Sequence, residues 1–499
     1  MWLNGHGLTA ALLLVLPLMI YANTISARFG FRDDYSILRE VNEEPGKVLK
    51  LCSSQARPLY GWMLESFFGQ IDEIDELWAG RAVGALFIGG IAALIYLALI
   101  RLGWPSLSSA LMSALMITLP AAQVDVSWAI CWPHLMGGVF SLIAFMVAEK
   151  GGWPRRLGAG ILITAGALFY QPHALFYVVP VAAGLVSHRP ETLRWRIRWL
   201  ALHLITVAAA LVTAFLIVEG LYALNVVHPS HLVTIETQPL QKLLWFVTRP
   251  LLSALALFVL ADDLFQGLSP GFVVLAAFVA MVILAGGWGE LRRAGWREGA
   301  FWAVSFFALT IAASAPILVA DEQWLKYRTI YPLTGVCLVF FMLGLQYLTR
   351  LKHGLGEPLI PATLAVLLTM AVPLASWKAY TLFALPQQLE LSLLEEGLER
   401  LQPKRQVEVF VIKPDYEDAP APGFFSDEFG TLSTNSDWAP KEILKLLLRE
   451  RFPYLRDLRK RVSLGCGDRL PLRKYDVVID MHRLRDLRAK VATEGYLLF

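Results

Sequence analysis

Apolar residues in this chain come in long runs rather than in alternation. Runs of roughly 15–23 apolar residues recur up to Tyr380, and about 20 such residues as a helix cross a hydrocarbon core. The pattern predicts membrane helices over 7–25, 82–101, 104–121, 132–148, 157–171, 173–187, 199–222, 270–288, 301–320, 329–349 and 357–379. The first run, "GLTAALLLVLPLMIYANTI", lacks a basic leader and a small-residue cleavage site, so it reads as a retained signal-anchor helix. Residues 157–187 would form one overlong helix, but Pro172 in "YQPH" removes a backbone donor and splits the run into a hairpin. The segment 242–262 is expected to lie in the interface or to re-enter from the outer face. A full crossing there would carry Arg292, Arg293 and Arg297 to the outside.

Beyond residue 385 the pattern becomes that of an ordinary soluble chain. "QVEVFVI" and "YDVVIDM" are strand-like, and "PKEILKLLLRERF" has helical apolar spacing. The expected fold class is therefore mainly α: a polytopic membrane protein of about 11 transmembrane helices over 1–380, with a small mixed α/β domain over 385–499. Its first outer loop is long, residues 27–80.

Charge supplies the orientation. Arg101, Lys150, Arg155, Arg156, the stretch "HRPETLRWRIRW", Arg292, Arg293, Arg297, Arg350 and Lys352 fall on one side, which the positive-inside rule makes cytoplasmic. The other side carries Asp33, Asp34, the "QVDVSWAICWPH" and "YQPH" turns, "ADEQWLKYR" and the tail. Composition adds that 17% of residues are charged, against about 25% in soluble domains. The net charge of +3 argues against a nucleic-acid partner. Cys52, Cys131, Cys337 and Cys466 are isolated and predict neither a metal site nor a disulfide framework, at most a Cys52–Cys131 pair.

The candidate chemistry gathers at the outer ends of the helices. Asp33 and Asp34 begin the first outer loop, which also holds Arg57; Asp125, His134, Gln171, His173, Arg249, Asp321, Glu322, Lys326 and Arg328 follow. Read blandly, the acidic pair is a solvated helix start, His134 a cap, and Arg249 a snorkelling side chain. The alternative is a site for a half-lipid substrate. Carboxylates deprotonate a hydroxyl or hold a divalent ion, and Lys326 and Arg328, outward cations against the positive-inside bias, pair with phosphate.

"RDDY" at 32–35, "FYQPHALF" at 169–176 and "ADEQWLKYRTIYPL" at 320–333, in this order and on one side, resemble the GT-C superfamily of membrane glycosyltransferases. The bacterial O-antigen glucosyltransferase and arabinosyltransferase-like members are the ones the chain looks like. "FFSDEFGTLSTNSDWAP" is similar to the periplasmic tails of some members. The resemblance implies a polyprenyl-phosphate-linked sugar donor, a glycan, lipid or protein acceptor, and a multi-pass protein of the bacterial inner membrane with its tail in the periplasm. It implies Asp33 or Asp34 as general base, Asp33 first, with the other orienting it or binding Mg2+, Mn2+ or Ca2+. Arg57, Asp125, His134, Gln171, His173, Arg249, Glu322, Lys326 and Arg328 are then the substrate and phosphate contacts. "RDDY" lacks the Trp that follows the acidic pair in the family. A transporter or flippase is the main rival, but it would place ionisable residues near the bilayer midplane, on broken helices. An O-antigen polymerase or ligase would carry its long outer loop late in the chain.

Overall fold

The computed structural model describes residues 2–187, 191–230, 233–261, 269–323, 325–350, 356–399, 401, 407–420, 424–453, 462–472 and 474–487. His188, Arg189, Trp324, Lys352 and residues 262–268, all used in the sequence reading, lie outside that set.

The chain is mainly helical, and it is a membrane protein by the length and composition of its helices. Ile74–Arg101, Ala129–Ala148, Leu193–Ala223, Pro270–Ala294, Tyr327–Thr349 and Leu359–Glu399 are each long and apolar enough to cross a bilayer. Ser106–Ile117 and Pro120–Ser127 make a seventh if counted as one span bent by 54°. The other four of the eleven expected segments are helical but fall short of this requirement. Gly5–Ile20 and His173–Leu185 are short, and Trp153–Tyr170 and Trp296–Ala313 begin with charged turns containing Arg155, Arg156, Arg297 and Glu298. Prolines and charged first turns thus cut the apolar runs more often than hydropathy alone suggests. Leu216, Leu284 and Met370 point outward and are exposed, the pattern of side chains that face lipid.

Where helices cross, backbones touch through glycine. A Cβ on Gly89 would stand 2.1 Å from the Leu14 carbonyl oxygen, and one on Gly344 would stand 2.0 Å from that of Val282. Small residues allow this approach where apolar burial gives no net drive between helices.

The outer layer is built from short helices and turns. The loop 27–80 is a packed helical cap built from Asp33–Glu43, Lys47–Ser54 and Pro58–Phe68. The "QVDVSWAICWPH" stretch is buried throughout, as are all of residues 120–135. Pro120, at the first helical position, restarts the chain as Pro120–Ser127 and sends it under the cap. The segment from 242 is a broken helix, Pro239–Phe246, a π turn at Val247–Leu251, then Leu252–Leu255.

Among the described residues, helix runs on without a break from the membrane part into the tail. Gly356–Lys378 runs through a π turn, Ala379–Ala384, into Leu385–Glu399. The tail then folds as a parallel sheet of β1 (Val407–Ile412), β2 (Val462–Gly467) and β3 (Val477–Asp480), in the order β2-β1-β3. Central β1 has buried residues on both faces, Val409, Phe410 and Val411 among them, as a covered parallel strand requires. Helix Ala439–Arg451 lies in the β1–β2 crossover that a parallel pair needs. It packs on Asp33–Glu43, where buried Arg39 pairs with Glu442. All four cysteines are free thiols, so Cys52 and Cys131 form no disulfide.

The Leu14 contact yields a paired prediction. Gly89→Ala should lose about 1–3 kcal/mol of stability, the usual result of overpacking. Gly90→Ala, whose Cβ meets no atom within 4 Å, should leave the melting temperature in detergent unchanged or raise it.

Candidate functional site

The two aspartates have separate surroundings because successive residues of a helix diverge. Both lie in the first turn of Asp33–Glu43, where the helix dipole favours a carboxylate. Asp34 points inward and is wholly buried. Its Oδ2 accepts a hydrogen bond from the Phe31 N–H (2.8 Å) and its Oδ1 one from the Ile130 N–H (3.0 Å). It thereby ties the cap to the turn before helix Trp132–Ala148. Burial pushes its carboxyl up to about 7, against the pull of those N–H groups and of Arg81. Buried Arg81 in turn donates to the carbonyls of Phe29 (2.8 Å) and Ala27 (2.5 Å).

Asp33 is only half-buried. Among the described residues, no hydrogen bond or ion pair closes on its carboxylate. Burial raises its pKa, while Arg328, Arg32, Arg57 and Lys326 together pull it down. Arg32, just before it, has φ 42°, a left-handed setting that costs a non-glycine residue free energy. That residue is held from the tail, because the Arg32 N–H donates to Ser433 Oγ at 2.9 Å. Asp34 has its oxygens engaged by backbone N–H groups, and Asp33 faces cations.

The cations around Asp33 come from three parts of the chain. Arg328 sits in the 3-10 turn Tyr327–Ile330, beneath the outer loop. Its guanidinium lies 4.4 Å from the Trp128 ring centroid, and Nη1 is 3.3 Å from Glu428 Oε1 and 3.9 Å from Cys131 Sγ. Lys326 pairs with Glu322 at 3.1 Å; burial and neighbouring Arg328 lower its pKa. Arg57 lies over the rings of Tyr60 and Tyr170. Gln171 donates to the Ala56 carbonyl (2.8 Å) and so holds the turn that presents Arg57. Arg249 is exposed on its π turn and is not among the cations that dominate the field at Asp33.

Behind these cations is a buried polar wall. His173 Nε2 and Asp125 Oδ2 are 2.9 Å apart. His134 is stacked between Tyr60 and Tyr170, with ring centroids at 4.4 and 3.9 Å.

The sequence reading gave the tail no part in the site, but the structure does. Asp427 Oδ2 accepts from the Tyr327 N–H at 2.9 Å, and its neighbour Glu428 pairs with Arg328. Buried Glu390 accepts from the N–H groups of Ser433 and Thr434 at 2.9 and 2.8 Å, which sets the Ser433 hydroxyl against Arg32. The available signal was the "FFSDEFGTLSTNS" stretch, dense in small polar and acidic residues. Nothing in it points to Arg328, roughly a hundred positions away.

Asp34→Ala should leave two buried N–H groups unpaired, at a loss of about 1–3 kcal/mol each, and lower the melting temperature. Asp33→Ala should leave it nearly unchanged. The pH dependence has a definite sign, because the folded-state pKa of Asp34 lies above the unfolded value. Its stabilising contribution is full below about 4 and falls as pH rises through about 7. The stability gap between the wild-type chain and Asp34→Asn should narrow as pH rises toward neutral.

The chain matches no protein-family model and no curated protein, so what it does is read from the geometry of this site.

Proposed function

We propose that the protein is an inverting glycosyltransferase. It moves a sugar from a polyprenyl-phosphate donor to a hydroxyl of a glycan, lipid-linked or protein acceptor at the outer face of the membrane. One observation carries this reading: Asp33, a carboxylate with no closed partner among the described residues, faces four cations. Such an arrangement suits a reaction in which a proton is removed at one end and a phosphate is released at the other.

Asp33 accepts the proton of the acceptor hydroxyl as that oxygen attacks the anomeric carbon. The bond from that carbon to the phosphate oxygen breaks, and its electron pair leaves on the polyprenyl phosphate. Arg328, Lys326 and Arg57 stabilise the departing anion, so no general acid is required. A base works best when its pKa approaches the working pH, which the raised value at Asp33 favours. Asp34 takes no part in proton transfer; it fixes the turn from which Asp33 projects. On the GT-C resemblance, all eleven helical segments cross. That odd number leaves the acidic pair and the tail together on the periplasmic side of a bacterial inner membrane.

Transfer of labelled sugar from polyprenyl phosphate in membranes carrying the protein tests the reading. Asp33→Asn should reduce turnover by about 10²–10⁴-fold, and Arg328→Met by about 10²–10³-fold. Undiminished transfer in Asp33→Asn contradicts the mechanism. The active form is the carboxylate, so the wild-type rate should rise with pH through an acid limb placed above the ordinary carboxylate value of about 4. Residual activity of the Asn variant should lack that limb.

A further inference from the structure

Asp125, Cys131 and His134 each present one ligand atom, and these three atoms all lie within 4.8 Å of one another. The residues are buried, and the cluster includes neither Asp33 nor Asp34. From this geometry we infer a binding site for a borderline transition-metal ion, zinc in the first instance.

The strongest observation is the state of His134. Tyr60 and Tyr170 cover both faces of the imidazole, leaving only its edge, where the two nitrogens are. The residue is 2% exposed, yet neither Nδ1 nor Nε2 has a hydrogen-bond partner among the described residues. An imidazole buried in this way loses hydration without compensation. In-plane coordination by one nitrogen supplies the missing partner.

Asp125 fits the same reading. One carboxylate oxygen is held by His173 Nε2 at 2.9 Å, and Oδ1 is buried with no partner. A ligand carboxylate oriented by a histidine outside the coordination sphere is the usual support for a metal. Cys131 completes the set. A buried thiolate needs adjacent positive charge, and Arg328 Nη1 at 3.9 Å gives only part of it. Thiolate, imidazole and carboxylate together select zinc or cobalt over magnesium or calcium, which prefer all-oxygen ligands.

Zinc bonds of about 2.0–2.3 Å place tetrahedral ligand atoms about 3.3–3.7 Å apart, so the cluster closes by side-chain shifts of about an ångström. Three protein ligands leave a fourth position open, the pattern of sites that hold water or substrate. Metal loading also fixes Cys131 as the thiolate partner of Arg328. The inference does not rest on the transfer reaction.

The test uses the full-length chain, purified in detergent, loaded with Zn2+ or Co2+ and desalted, with metal content measured by elemental analysis. Stoichiometric zinc should remain, and Cys131→Ser or His134→Ala should lower the affinity by at least about tenfold. Cys337→Ser, which alters a buried cysteine outside the cluster, should retain the metal. The cobalt form gives a second readout: it should show thiolate-to-cobalt charge-transfer absorption that persists when Cys52, Cys337 and Cys466 are all replaced by alanine. Failure of the wild-type chain to retain either metal overturns the site, as does a charge-transfer band that survives Cys131→Ser. Sugar-transfer activity, measured separately, distinguishes loss of this site from failure of the proposed reaction.

Discussion

The Arg328–Glu428 pair is the constraint on which the outer half of the molecule depends. The Arg328 side chain is largely withdrawn from solvent, 14% exposed, and needs a counter-charge, because removing one partner of a buried pair leaves an uncompensated charge worth about 3–5 kcal/mol. The counter-charge comes from the tail, with Asp427 beside it fastening the backbone of Tyr327. The tail cannot dock elsewhere without stranding Arg328. Its docked position also carries Ser433 to the backbone of Arg32, directly before Asp33. A single electrostatic requirement thus couples the late outer loop, the first outer segment and the soluble sheet.

That coupling separates the two aspartates by role. Asp34 acts on structure, accepting from two N–H groups and joining the cap to the membrane helices. Asp33, one position earlier and turned away, has a carboxylate that no described residue engages, set among cations. In the proposed reaction the same field that lowers the cost of ionising Asp33 receives the departing phosphate, so base and leaving-group site share one set of charges.

Much of the helical layer was legible, since long apolar runs identify helices wherever no proline or charge interrupts them. The count of crossings was less so. Pro120 bends one run, and Arg155, Arg156, Arg297 and Glu298 shorten others, which are features of local length rather than of hydropathy. "RDDY" and the "KYR" of the late outer loop drew attention to residues that the fold brings into one field, but the different tasks of Asp33 and Asp34 depend on side-chain direction, which neighbouring letters do not carry. The tail's start near residue 385 was legible as a change in composition, but not that one helix runs through that point. Glu428 was not singled out because its partner, Arg328, is far away in sequence; Cys131 was read as isolated because its spacing to Asp125 and His134 matches no recognised ligand motif.

The most direct measurement is native mass spectrometry of the detergent-purified protein with polyprenyl phosphate and, in parallel, with the uncharged polyprenol of the same length. The account predicts that the phosphate lipid is retained and the alcohol is not, and that Lys326→Met with Arg328→Met abolishes the difference. Equal retention of the two lipids by the wild-type chain would contradict it.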